Sequence, residues 1–301
     1  MLRLQTYDPE LGWIAEPREP ENPDGLTWPP ALDRRPKAWF FGDSFIAGGG
    51  NSIPALFEAL RPEWQSLNYG VGGYGLDQIW LRYRRVSEHI PPGAPVLVGV
   101  LTYDLDRSAL RFYAGFKPIF RRVNGSYRLV PPPSREELPG LYESITIPIT
   151  SYVLAGLGTL VEQVTTNFNS SRIRCHLREK MAVNSYLIDQ IISKAAEKRH
   201  GLYWILFGGR DEIGEPAAWR YDFLREALDR SGQPYLDTLD VLRRSARAAG
   251  QLPTAFYNQT GHLTLEGRGV VAEALAASFN RIGSKAAPGA VGLRDRRVRA
   301  R

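Results

Sequence analysis

The chain has 301 residues, 43% of them hydrophobic and 23% charged, which is ordinary for a soluble globular protein and enough to bury a full core. Its formal net charge is +6, but the stretch from Ser284 onward holds six Lys and Arg against one Asp, so the remainder is close to neutral and no basic face for nucleic acid is expected. No apolar run approaches the roughly 18 residues of a membrane span, and the single cysteine, Cys175, supports neither a disulfide framework nor a zinc site.

The first residues lack the apolar core of a secretory signal, so a cytoplasmic protein is expected. Residues 1 to about 31 carry Pro9, Pro17, Pro20, Pro23, Pro29 and Pro30 and read as an extended lead-in, pinned at most by Trp13 and Trp28. The folded domain is expected over 32–283. Ala38-Trp39-Phe40-Phe41 is a continuous apolar run that stops at Gly42-Asp43-Ser44, as a strand covered on both faces would. Ile53, Leu56, Phe57 and Leu60 then fall at helical spacing. A second strand, Trp64 to Val71, runs into Gly72-Gly73-Tyr74-Gly75, and Leu76, Ile79, Trp80, Tyr83, Val86 and Ile90 share one face of the next helix.

A third strand from Pro95 ends at Tyr103-Asp104. From about 105 to 180 the regular alternation loosens into an insertion, with a hairpin turning at Asn124-Gly125 and an apolar loop-helix segment at Ile145–Val161. It is a candidate substrate wall. Regularity returns with a helix from Met181 to Arg199, a buried strand at Leu202–Phe207, a helix from Ala217, a short strand ending at Asp237, a helix over Val241–Ala249 and a closing amphipathic helix through Val270 and Phe279. Residues 284–301 read as a basic tail that does not fold. Strands alternating with helices predict a three-layer α/β/α fold around a five-stranded, flavodoxin-like parallel sheet.

In such sheets ligands bind beyond the carboxyl ends of the strands. Ser44, the glycine turn and His262 all fall at that edge. Gly-Asp-Ser alone is also what an ordinary strand-to-helix turn uses. However, Phe41-Gly42-Asp43-Ser44, Asn68-Tyr69-Gly70-Val71-Gly72-Gly73-Tyr74-Gly75 and Gly261-His262-Leu263-Thr264, in that order, resemble three sequence blocks of the SGNH (GDSL-type) hydrolases. The resemblance covers about 7–110 and 200–280. It implies a serine nucleophile at Ser44, a histidine base at His262, and an oxyanion hole from the backbone N–H groups of Ser44 and Gly73, completed by an asparagine. It further implies a small-molecule or carbohydrate ester as substrate, and no metal or organic cofactor.

Two departures stand out. Tyr103 occupies the asparagine's place when Asp104 is matched to the family's aspartate. Thr260 and Gln259 occupy the positions where an aspartate normally precedes the histidine. Asp43 and Asp104 are candidate supporting carboxylates, and Asn258, Asp237 and Asp240 are candidates to orient His262. Two rival readings accompany this one. The first is a non-catalytic SGNH-like domain that binds a carbohydrate or acyl ligand. The second is a dinucleotide site at Gly70-Val71-Gly72-Gly73-Tyr74-Gly75, which lies on the second strand rather than the first and leaves Ser44 and His262 without a role.

Overall fold

Residues 5–15, 33–145, 170–214 and 219–285 are described by the computed structural model. The first of them differ from the extended lead-in expected there. Gln5–Asp8 (β1) and Gly12–Ala15 (β2) pair as an antiparallel hairpin. Asp8 builds its turn, with Oδ1 accepting from the N–H of Glu10 (2.9 Å) and of Leu11 (2.7 Å). The hairpin is fastened to the body: Leu11 is fully buried, Gln78 Nε2 donates to the Leu11 carbonyl (2.7 Å), and the Tyr74 hydroxyl donates to that of Trp13 (2.6 Å). Residues 16–32 with Trp28, residues 146–169 with nearly all of the apolar segment, and residues 286–301 of the basic tail lie outside the described residues.

The remaining strands are Lys37–Phe41 (β3), Gln65–Asn68 (β4), Pro95–Leu101 (β5), the hairpin Ile119–Val123 (β6) and Ser126–Val130 (β7), then Gly201–Phe207 (β8) and Tyr235–Asp237 (β9). Five of them form one sheet, in the order β4-β3-β5-β8-β9, parallel at every pairing. This is the flavodoxin-like order the alternation predicts. β5 is buried at every residue and β3 at all but its first, which is why both read as unbroken apolar runs. Each large side chain so buried contributes about 1.5–3 kcal/mol.

The helices are Ile53–Leu60 (α1), Leu76–Val86 (α2), Asp104–Arg107 (α3), Leu138–Ile145 (α4), Ser170–Lys198 (α5), Trp219–Arg230 (α6), Thr238–Ala249 (α7) and Leu265–Lys285 (α8). Helices α1, α7 and α8 pack together, as do α2, α5 and α6, giving the outer layers. α5 begins earlier than the Met181 expected from its apolar stripe, and so takes up the end of the expected insertion. The β6–β7 hairpin turns at Asn124 and Gly125, both at positive φ (50° and 84°), and packs on α5 through Phe120 and Tyr127 against Tyr186.

His200 is a core histidine just past the end of α5. Its Nδ1 meets the Tyr83 hydroxyl at 2.8 Å and its Nε2 the Ile90 carbonyl at 3.1 Å, and burial holds its pKa below the usual histidine range. Because β4 lies on one side of β3 and β5 on the other, the chain reverses direction across the sheet at β3. The crevice beyond the carboxyl ends of β3 and β5 is therefore the topological switch point where such folds bind ligands.

Candidate active site

Ser44 sits just past β3 in a turn closed by its own neighbour: Asp43 Oδ1 accepts from Phe45 N–H (2.9 Å), and the Asp43 carbonyl from Ile46 (3.1 Å) and Ala47 (2.9 Å). The glycine turn after β4 comes close beside it. At Gly70 a Cβ would stand 2.5 Å from the Ala47 nitrogen, so only glycine allows the two turns to approach, and a Cβ at Gly72 would lie 4.0 Å from that of Ser44. Gly73 follows at φ 81°, against the Trp13 ring, while Trp13 Nε1 donates to the Gly72 carbonyl (3.2 Å). The N–H groups of Ser44 and Gly73 donate to no described residue.

His262 reaches Ser44 from the other end of the chain. Its Nε2 lies 3.0 Å from Ser44 Oγ across a separation of 218 residues. The loop that carries it is a narrow return closed by Asn258 N–H to the His262 carbonyl (2.8 Å) and by the Tyr257–Leu263 bridge, with Gly261 at φ 81°. Phe45 stacks on the imidazole at 5.6 Å.

The other ring nitrogen decides the tautomer. Nδ1 is 3.0 Å from Thr260 Oγ1, and Thr260 Oγ1 is 2.8 Å from Asn258 Oδ1. That Asn258 atom also accepts the N–H groups of Thr260 (2.9 Å) and His262 (3.1 Å), so it is the carbonyl oxygen and can only accept. The one Thr260 hydroxyl proton therefore goes to Asn258, its oxygen accepts from Nδ1–H, and Nε2 is left as the acceptor facing Ser44. The fold thus brings together Ser44, the glycine turn and His262, the residues that the sequence motifs single out.

No family model and no curated protein matches the chain. Among solved structures it is similar to a lipolytic protein of the G-D-S-L family from Veillonella parvula, at 12% identity over 81% of this chain and 98% of that one, with a TM-score of 0.46. It is also similar to LAE5, an alpha/beta hydrolase from the metagenome of Lake Arreo (15% identity, 82% and 96% covered, TM-score 0.47), and to AlinE4, an SGNH-hydrolase family esterase (15%, 86% and 100%, 0.39).

The remaining expected residues are near Ser44 and His262 but differ in what they touch. Asp43 and Asp104, both fully buried, do not meet His262; they share Arg107, whose Nη1 donates to Asp43 Oδ2 (2.9 Å) and Asp104 Oδ1 (2.7 Å). Burial disfavours the guanidinium's charge, but the facing carboxylates of Asp104 and Asp43 outweigh it and hold its pKa above the usual arginine value. Burial and the charge of Asp43 hold the Asp104 carboxyl well above the ordinary carboxylate range. Asp43 Oδ2 also lies 3.3 Å from Ser44 Oγ.

Tyr103 lines the cleft, yet its hydroxyl is 2.6 Å from both Asp211 oxygens; burial and that bond push the phenol up to about 12, so it stays a donor committed to Asp211. Asp237 caps α7 and accepts from Tyr221, and Asp240 is exposed in the first turn of that helix; neither is the partner of His262. Asp104 is closed off between Arg107 and the Leu101 N–H.

Sequence reasoning placed Thr260 but looked there for a carboxylate, and it did not find Arg107, Asp211 or Lys117. The Lys117 ammonium, fully buried, donates to Asp77 and to the carbonyls of Arg107 (3.1 Å), Leu110 (3.3 Å) and Pro118 (3.2 Å), fixing the loop that brings Tyr113 to the cleft. Removing one partner of such a pair costs about 3–5 kcal/mol. Ser44, Tyr103, Arg107, Tyr113, Asp211 and His262 line a cleft of about 400 Å³. Among the described residues no cluster could hold a metal ion, and no helix is long and apolar enough to cross a membrane.

Proposed function

We propose that the chain is a serine-dependent SGNH-type esterase or acyl transferase, with Ser44 as nucleophile and His262 as base. The observation that carries this reading is the 3.0 Å contact between Ser44 Oγ and His262 Nε2, in the tautomer that can accept the hydroxyl proton. Ser44 Oγ attacks the ester carbonyl carbon, its proton passes to Nε2, and the C=O electron pair moves onto the oxygen. The N–H groups of Ser44 and Gly73 receive that charge. Collapse breaks the C–O bond, and the leaving alcohol takes the proton from His262. Water or a second alcohol then repeats the attack on the acyl-enzyme.

The Thr260–Asn258 pair serves as the orienting partner that an aspartate usually supplies. Being neutral, it holds the tautomer but gives less stabilisation to the imidazolium than a carboxylate would. The cleft walls, with Tyr103, Tyr113, Arg210 and Asp211, suit a hydroxyl-bearing alcohol or a sugar carrying a small acyl group such as acetyl. Replacing Ser44 by Ala is expected to leave the melting temperature unchanged and to abolish turnover of p-nitrophenyl acetate. Equal turnover by the variant would contradict the assignment.

A further inference from the structure

The site has two backbone donors for an oxyanion but no amide beside them, since Tyr103 holds the asparagine's place and spends its hydroxyl proton on Asp211. One other donor is built into that spot. Arg107 Nη1 is fixed by Asp43 Oδ2 (2.9 Å), the Tyr74 carbonyl (3.1 Å) and Asp104 Oδ1 (2.7 Å). Asp43 precedes Ser44 in sequence and Tyr74 follows Gly73, so the guanidinium is anchored between the residues that carry the two N–H groups. Tyr113 stacks against it at 4.8 Å, which fixes the plane of the fork. All of its hydrogen bonds run through Nη1. Nε and Nη2 donate to no described residue and neither is among the buried atoms without a partner, and Arg107 lines the cleft together with Ser44 and His262.

We propose that the free edge of Arg107 is the third oxyanion donor, a cationic replacement for the absent amide. The inference rests on the acylation of Ser44 proposed above. As Ser44 Oγ bonds to the carbonyl carbon and its proton goes to His262 Nε2, the carbonyl oxygen gains a full negative charge. Arg107 donates a hydrogen bond to that oxygen and keeps its own protons throughout. Because the charge exists only after attack, the interaction strengthens in the transition state and acts on kcat rather than on KM. Asp43 and Asp104 make the arrangement rigid, so little reorganisation accompanies the attack.

The test compares wild type with Arg107→Lys and Arg107→Gln on two esters, neutral p-nitrophenyl acetate and anionic p-nitrophenyl hemisuccinate, with circular dichroism confirming the fold. The expected result is a loss in kcat of about 10² to 10³ for the Gln variant on both esters, a smaller loss for Lys, and little change in KM. A kcat on the neutral ester within about threefold of wild type in both variants would overturn the inference. So would a rise in KM confined to the anionic ester, which would make Arg107 a binder of substrate charge. Should both variants misfold, wild type is crystallised with a phenylboronic acid on Ser44: a boronate oxygen within about 3.2 Å of Arg107 Nη2 or Nε supports the inference, and its absence overturns it. The functional reading itself is separable, because a wild type that neither hydrolyses either ester nor forms the Ser44 adduct removes both, whereas an active wild type with unaffected variants removes only the role of Arg107.

Discussion

At the scale of single residues, the feature with the most chemical consequence is that a hydroxyl stands where a carboxylate is usual. The Thr260 oxygen accepts the Nδ1 proton of His262 only because Asn258 takes the threonine's own proton, so the pair acts as one unit. Thr260→Ala removes a hydrogen bond to a ring that becomes charged, worth about 1.5–3 kcal/mol. Its kcat on p-nitrophenyl acetate is therefore expected to fall on the order of 10- to 100-fold with KM nearly unchanged. Thr260→Asp is expected to raise kcat above wild type, because the carboxylate adds electrostatic support to the imidazolium. An alanine variant at wild-type rate would show that the loop backbone alone orients the ring. Ser44 and His262 stood out in the sequence through the blocks that resemble those of SGNH hydrolases, since a Gly-Asp-Ser turn by itself is ordinary. The relay was not, because Asn258, Thr260 and His262 are spaced as any Asx turn would be, and their partnership depends on how the loop closes.

At the scale of elements, the hairpin β1–β2 is the largest departure from what the sequence suggested. Its strands are only four residues each and lie ahead of a proline-rich stretch, so no periodicity distinguishes them from a lead-in. What orders them is tertiary: Trp13 against the glycine turn, and the ion pairs of Asp8 and Glu10 with Arg84 and Arg85 of α2. By touching Gly72 and Gly73, the hairpin braces one side of the proposed oxyanion hole. Burial raises the Asp8 carboxyl, but hydrogen bonds from Arg85 and from the Leu11 and Glu10 N–H groups outweigh it and hold its pKa below the usual value. A depressed carboxylate stabilises the folded state fully above its unfolded pKa, about 3.9, and that contribution is lost as pH falls through the lower folded value. Hairpin docking is thus expected to be constant at neutral pH and to weaken below about pH 4. Asp8→Asn should lower the melting temperature at pH 7 and reduce the drop seen between pH 4 and more acid solution, as read by differential scanning calorimetry. An acid profile unchanged by the substitution would contradict the role given to Asp8.

At the scale of the whole molecule, the sheet was legible because its central strands are covered on both faces and so must be unbroken apolar runs, such as Trp39-Phe40-Phe41 and Val96-Leu97-Val98. The order of the strands then places Ser44, the glycine turn and Tyr103 at one crevice, since β4 and β5 flank β3 on opposite sides. Contacts between buried polar groups were not legible in this way. Lys117 with Asp77, and Arg107 with Asp43 and Asp104, join charged residues from separate parts of the chain, and only the fold shows that they share a core. The insertion was recognised as irregular, but its hairpin packs on α5 rather than over the cleft. Reaction of the purified protein with a fluorophosphonate, followed by mass analysis of its peptides, tests the central claim most directly. A serine made nucleophilic by His262 should carry the phosphonyl group on the Ser44 peptide, with the adduct absent in Ser44→Ala and strongly reduced in His262→Ala. Folded wild-type protein that remains unlabelled at Ser44, or labels equally well without His262, would contradict the account and favour a site that binds its ligand without reacting with it.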